Sequence, residues 1–130
     1  MTIIDGVYSI EPQSNTWKGL VAVYKKNGVW TPAIANGTDT LSTHIAYPEN
    51  ESSLYLIQEG RIRLEHDYIP GQFYFLSDTQ PGQAMVNQPN FKPRRTYNGI
   101  VTYRVSKPLF KAQDKLIIDI FSQPGVYTQQ

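Results

Sequence analysis

The sequence predicts an all-β fold, a compact antiparallel β-sandwich or small β-barrel with long loops. The 130-residue chain contains 9 glycines, 9 prolines and 9 tyrosines, and turn-forming residues scattered among strand-favouring side chains are typical of short strands joined by turns. No window places apolar residues at helical spacing over three turns. Both observations favour strands throughout, and the length favours one domain with one core.

The chain divides into three parts by composition. Residues 1–16 are polar and are interrupted by Pro12, so they are predicted to be an N-terminal arm or extended segment. Residues 17–122 form the single β domain. Residues 123–130 are predicted to be a flexible C-terminal tail.

The first part of the β domain contains the clearest hairpin signal. A strand at residues 20–24 leads into Asn27-Gly28, which supplies the positive φ angles of a type I′ turn. Residues 31–50 have little strand character and are predicted to be a long surface connection with one short strand at 41–47.

The strand pattern is sharper after residue 53. Residues 54–57 form a buried strand, Gln58-Glu59-Gly60 is predicted to turn the chain, and residues 61–65 alternate charged and aliphatic side chains as a half-exposed strand does. Pro70-Gly71 fits the central positions of a type II turn.

The remaining strands are separated by further turn signals. After a strand at 72–76, Pro81-Gly82 forms a second turn before a short strand at 83–86. Residues 87–98, which contain two prolines, are predicted to be a loop. Two more strands follow, at 99–106 and 116–121.

Composition also excludes several functional classes. The chain has no cysteine, which rules out disulfides and thiolate chemistry. With 12 basic and 11 acidic residues the net charge is +1, so no overall field attracts nucleic acid or acidic lipid. No apolar run has the roughly 20 residues of a membrane helix, and the start lacks the basic region of a signal peptide. No membrane partner is therefore expected.

No catalytic residue, cofactor or metal site is predicted. His44 and His66 are the only imidazoles, and the chain has no Gly-x-Ser-x-Gly motif for a nucleophilic serine. Glu65-His66-Asp67 is the only local group of metal-ligating types. On a strand, neighbouring side chains point to opposite faces and cannot converge on one ion, although in a turn they could.

The segment from residue 90 to 115 is more basic than the rest of the chain. It contains seven basic residues with aromatic residues between them, a mixture that a groove for single-stranded nucleic acid would use. A solvated face, or a contact for an acidic protein surface, is the more common role. The seven are Lys92, Arg94, Arg95, Arg104, Lys107, Lys111 and Lys115.

From Leu54 to Ile120 the order of strands and turns resembles a module of bacteriophage virion proteins, which occurs in capsid decoration proteins, head fibres and some tail fibres. Two Pro-Gly turns flank an aromatic strand that ends in Leu-Ser, and a Val-containing strand ending in Ser precedes a final aliphatic strand. The matching segments are Leu54-Tyr55-Leu56-Ile57, Gly60, Arg61-Ile62-Arg63-Leu64, Pro70-Gly71, Phe73-Tyr74-Phe75-Leu76-Ser77, Pro81-Gly82, Gln83-Ala84-Met85-Val86, Pro89, 101–106 and 116–120.

The resemblance implies a non-enzymatic virion structural protein that decorates and stabilises the capsid. Such a protein would be made in the host cytoplasm and would bind across subunits of the major capsid protein on the capsid surface, as a homotrimer. The candidate contact residues are Lys92, Arg94, Arg95, Trp17 and Tyr97.

Two alternatives remain open. Exposed tyrosines and tryptophans suit a carbohydrate- or receptor-binding module of a tail fibre or tailspike. The basic segment suits a β-barrel that binds single-stranded nucleic acid, although nucleic acid is the less favoured partner.

Overall fold

The computed structural model describes residues 1–36, 40–87, 94–106, 108–122 and 126–129; for 94–97, 100–106 and 126–129 it describes the backbone alone. The predicted all-β class is confirmed, because the described residues form twelve strands and no helix. The strands are β1 (Thr2–Pro12), β2 (Val21–Lys26), β3 (Val29–Pro32), β4 (His44–Asn50), β5 (Ser53–Arg63), β6 (Phe73–Leu76), β7 (Ala84–Met85), β8 (Arg94–Tyr97), β9 (Ile100–Ser106), β10 (Phe110–Ala112), β11 (Ile117–Ile120) and β12 (Val126–Gln129).

Nine strands form one curled antiparallel sheet with the shape of a half-barrel. Its order is β3-β2-β4-β5-β11-β10-β6-β7, and β1 pairs with β5 as an additional neighbour. The long strand β5 is the centre of this arrangement. One of its edges is shared by β4 and then β11, while β1 pairs along its whole length.

The sheet buries apolar side chains on both faces. Neighbouring residues of a strand point to opposite sides, and the pairs Val21/Ala22, Ala46/Ile45 and Leu56/Ile57 accordingly divide between two clusters. The smaller cluster also contains Val23, Trp30 and Leu54, and the larger includes Phe110, Ile62 and Ile118. Strands β2, β4 and β5 are thus covered on both sides.

The predicted turn at residues 58–60 is wrong, because β5 continues through them as one strand. Gly60 lies directly opposite Gly6 of β1, and both have positive φ angles, 143° and 138°. A Cβ on either glycine would lie 2.2 Å from a backbone oxygen of the other strand. At this point β5 leaves β4 and begins to pair with β11. The glycine pair therefore permits a close strand approach, not a chain reversal.

The predicted turns at the other glycines are confirmed. Asn27 and Gly28 have φ angles of 50° and 80° between β2 and β3, as a type I′ turn requires. Gln72 N–H donates to the carbonyl oxygen of Ile69 across Pro70-Gly71, with Gly71 at φ 87°. An equivalent hydrogen bond, from the Gln83 N–H to the carbonyl oxygen of Gln80, closes the turn at Pro81-Gly82, where φ of Gly82 is 77°.

The segment predicted as a loop at 87–98 contains a strand instead. Asn98 and Gly99 have φ angles of 49° and 76°, and they join β8 to β9 as an antiparallel hairpin with Tyr97 paired to Ile100. The prediction missed this Asn-Gly signal because the prolines and charges before it favoured a loop.

The C-terminal segment also differs from the predicted flexible tail. Residues 126–129 are β12, which pairs with β9. Strands β12, β9 and β8 form a separate three-stranded sheet. Two smaller differences concern β4, which begins and ends three residues later than predicted, and the short β10, which the sequence did not indicate.

Candidate interaction site

Strand β1 has one paired edge and one open edge. Its only pairing with a described strand is to β5. Gln13 N–H donates to the carbonyl oxygen of Ser52 at 2.9 Å, and hydrogen bonding alternates along an antiparallel pair. The amide and carbonyl groups of Tyr8 and Ile10 consequently point away from β5, toward the open edge.

The side chains of β1 are apolar at positions that the fold leaves exposed. Ile4, Val7, Tyr8 and Ile10 are 47–50% exposed. Proteins usually blunt an exposed edge strand with lysine, an internal proline or a covering element. Strand β1 has no lysine, and its single proline is its last residue. The strand therefore presents both backbone groups and apolar surface to a partner.

The edge of β3, unlike that of β1, is covered by a side chain. The side-chain amide of Gln13 donates to the carbonyl oxygen of Trp30 at 2.7 Å and accepts from its N–H at 2.8 Å. The Gln13 amide thus satisfies the N–H and carbonyl groups of Trp30, which would otherwise be free to pair with another strand. It also ties the end of β1 to β3, and Lys25 adds an ion pair with Glu11 at 3.7 Å.

His44 lies beneath this junction. Its ring makes an edge contact with Trp30, with 4.8 Å between centroids. Burial lowers the pKa of His44 from 6.5, and the Glu11 carboxylate offsets this only in part. The folded protein therefore favours the neutral imidazole.

We expect the stability of the protein to fall as the pH drops below 6.5 because of His44. Above 6.5 the imidazole is neutral in both folded and unfolded chains, so it adds no pH dependence there. Below 6.5 the unfolded chain takes up a proton before the folded protein does. Denaturant unfolding at a series of pH values should show this decline, and His44→Gln should reduce it.

Asp119 gives an internal control for that measurement. Its carboxylate accepts hydrogen bonds from Arg61 Nε and from Gln113 Nε2, both at 2.7 Å, and these lower its pKa from 3.8. Its contribution is present above 3.8 and is lost as the pH falls further. The loss of stability below pH 3.8 should be the same in His44→Gln as in the natural protein. If the two proteins also lose stability equally between pH 6.5 and 3.8, His44 is not the source of the decline in that range.

A groove lies beside the segment that follows β5. It comprises two adjoining hollows of about 840 and 460 Å³ that share residues 65–68 as lining. His66 Nδ1 accepts from the Tyr68 N–H at 3.0 Å, and within the described structure its buried Nε2 has no partner. Burial raises the pKa of Tyr68, whose ring packs edge-on against Tyr74 and Phe110.

The same segment shows how Glu65-His66-Asp67 is arranged. Both acids are exposed, whereas the His66 ring is half-buried between them. Among the described residues there is no group of three metal-ligating side chains that could hold an ion. The described residues also include no helix long and apolar enough to cross a membrane.

The predicted contact residues lie on two segments of the chain. Arg94, Arg95 and Tyr97 lie on β8, and Lys92 lies outside the described residues. Trp17 is half-buried against the smaller apolar cluster, and its backbone N–H donates to Asn15 Oδ1 at 3.3 Å. Trp17 therefore packs against this cluster with one part of its surface and lines two surface hollows with another.

The sequence prediction did not single out the open edge of β1. The signal was present as Ile3, Ile4, Val7 and Ile10, but Asp5, Gly6 and Ser9 interrupt the alternation expected of a strand. Irregular pairing explains the interruption, because the β1–β5 register shifts between Ile3 and Asp5 and again between Val7 and Tyr8.

Comparison with known proteins adds no relative to this description. No protein-family model matches the chain, and searches of curated proteins and of solved structures find no match. The resemblance to virion modules thus depends on the strand and turn pattern from Leu54 to Ile120.

Proposed function

We propose that this chain is a non-enzymatic structural protein of a bacteriophage virion, which stabilises the capsid by binding across subunits of the major capsid protein, as a homotrimer. The observation that carries the proposal is the open edge of β1, with four half-exposed apolar side chains along an eleven-residue strand. Such an edge binds other proteins by adding a strand to the sheet.

The strand and turn pattern supports the virion setting, and the fold supports a mechanism based on binding. A strand added at β1 would bury its apolar side chains and satisfy the outward amides of Tyr8 and Ile10. If the added strand belongs to a second copy of this chain, the linked copies lie together across several capsid subunits, and expansion or rupture of the shell must then also break the contacts between copies. Stability is then gained by linking subunits, and no reacting group is needed.

Localisation within virus particles tests the proposal. An antiserum against this chain should be applied to particles purified from a lysate of the virus whose genome encodes it, and the labelled particles viewed by electron microscopy. We expect label over the capsid surface. Label at the fibre tips would instead favour the carbohydrate- or receptor-binding alternative, and particles that lack the protein would contradict a virion role.

The open edge makes a separate prediction about self-association. We expect light scattering on a size-exclusion column to give a mass above that of the 14.8-kDa monomer. Ile10→Lys should shift the protein toward the monomer, because a lysine on an edge strand must be desolvated when another strand adds to it.

Ile69→Lys is the matched control, since Ile69 is 55% exposed in the turn between β5 and β6 and belongs to no strand. It should leave the mass unchanged. Equal loss of mass in both variants, or in neither, would show that the β1 edge is not the association surface.

A further inference from the structure

We infer that the open edge of β1 in one copy pairs with the edge strand β8 of a second copy. The inference deepens the proposed function and rests on its self-assembly, for which it names the two surfaces that meet. Two observations support it: which strand edges the fold leaves open, and the charges on those strands. The symmetry of a contact between two different surfaces then limits the assemblies that can form.

The chain offers complementary strand edges on its two sheets. In the nine-stranded sheet, β1 pairs with β5 on one side and with no described strand on the other. In the three-stranded sheet β9 is central, so β8 and β12 each have one edge without a described strand. No described pairing joins the two sheets. The short strands β8 and β12 of the three-stranded sheet are thus available to pair with the long strand β1 of a second copy.

Charge distinguishes β8 from the other strands that could fill the site. Strand β1 contains Asp5 and Glu11 and no basic residue, whereas β8 contains Arg94 and Arg95 and no acid. Strand β12 carries no charge. Opposite charges on adjacent strands are favourable and like charges are unfavourable. Pairing β1 with a second β1 would bring Asp5 and Glu11 of both copies together, with Lys25 beside each Glu11, while pairing it with β8 adds two arginines to these acids.

A contact between β1 and β8 joins two different surfaces, so it is head-to-tail. Each copy then uses its β1 edge toward one neighbour and its β8 edge toward another. Such contacts close into a ring when the rotation between copies permits, and otherwise extend as a filament. A ring of three is the closed form that agrees with the proposed homotrimer, and it leaves no β1 edge open.

Cysteine cross-linking tests the contact directly, because the natural chain has no cysteine. Each test variant combines Ile10→Cys with either Thr96→Cys or Tyr97→Cys, which keeps both arginines of β8. Neighbouring strand positions point to opposite faces, so one of the two combinations places its thiols on a common face. The single variants Ile10→Cys, Thr96→Cys and Tyr97→Cys are oxidised in parallel.

After oxidation, one double variant should give covalent dimers and trimers on a non-reducing gel, with yields at least about tenfold above those of the single variants. Dimers of Ile10→Cys alone would show that β1 pairs with itself and would overturn the inference. The inference would also fail if light scattering gave an oligomer and neither double variant cross-linked, or if the protein were monomeric. None of these outcomes changes the particle-labelling result, which tests the virion role by itself.

A charge variant checks the reason for choosing β8. Adding Arg94→Glu and Arg95→Glu to the cross-linking double variant should lower the covalent yield about tenfold or more, since like charges now face each other. Circular dichroism controls for folding. An unchanged yield in a folded variant would remove charge as the basis of partner choice.

Discussion

Gly60→Ala should destabilise the protein by about 3–5 kcal/mol, from the cost of a strained backbone conformation together with steric overlap. The new Cβ would lie 2.2 Å from the carbonyl oxygen of Asp5 and 2.7 Å from the Cα of Gly6. Both atoms belong to the backbone of β1, so no side-chain rotation can relieve the overlap. Strands β1 and β5 would have to separate at the place where β5 changes its partner from β4 to β11.

Gly28→Ala separates the two causes of this loss. Gly28 also has a positive φ angle, 80°, but a Cβ there meets no atom within 4 Å. We expect a loss of about 1–2 kcal/mol from the backbone conformation alone. Guanidinium unfolding of both variants gives the comparison. If the two losses are equal, the steric overlap between the new Cβ and strand β1 adds nothing to the cost of Gly60→Ala.

Phe110→Ala should destabilise the protein by about 3–5 kcal/mol, the usual cost of truncating a buried phenylalanine. The side chain is 1% exposed. Its ring stacks on Tyr74 with 5.2 Å between centroids and contacts Tyr68 edge-on at 5.0 Å. Because Tyr74 is held on β6 and Tyr68 also packs against Tyr74, a large cavity would remain. Loss of this magnitude is a substantial part of the total stability of a domain.

Phe73 provides the control for this change. It lies on the paired strand β6, is 44% exposed and stacks on Phe121 at 5.9 Å. Phe73→Ala leaves a surface depression that water fills, and should cost well under half as much. Thermal and denaturant unfolding measure both. Comparable losses would mean that the ring cluster is not the centre of the larger core.

The sequence was most informative where a local rule determines the structure. Asn27-Gly28, Pro70-Gly71 and Pro81-Gly82 each fix the φ angles of a reversal from neighbouring residues alone, and all three turns are present. Gly60 shows the limit of that rule. Its requirement comes from Gly6, more than fifty residues earlier in the chain, so a local interpretation assigns it to a turn.

The candidate site was harder to predict for the same physical reason. An open edge is a property of the whole sheet, since it depends on which strand is left without a neighbour. The residues of β1 give a weak strand signal because its two register shifts interrupt their alternation. Sequence reasoning placed candidate partner contacts on Trp17 and on the residues near Arg94, and it did not identify β1.

The pairing of β1 with β5 also constrains the order in which the chain can fold. Thr2 pairs with Arg63, so β1 leaves the ribosome before its partner and has no place in the sheet until roughly sixty more residues have followed it. During that interval its isoleucines and Tyr8 are without the neighbour that later holds them. Contacts of such high sequence separation slow folding and expose aggregation-prone strands. Strand β5 is thus the strand whose arrival ends the exposure of β1.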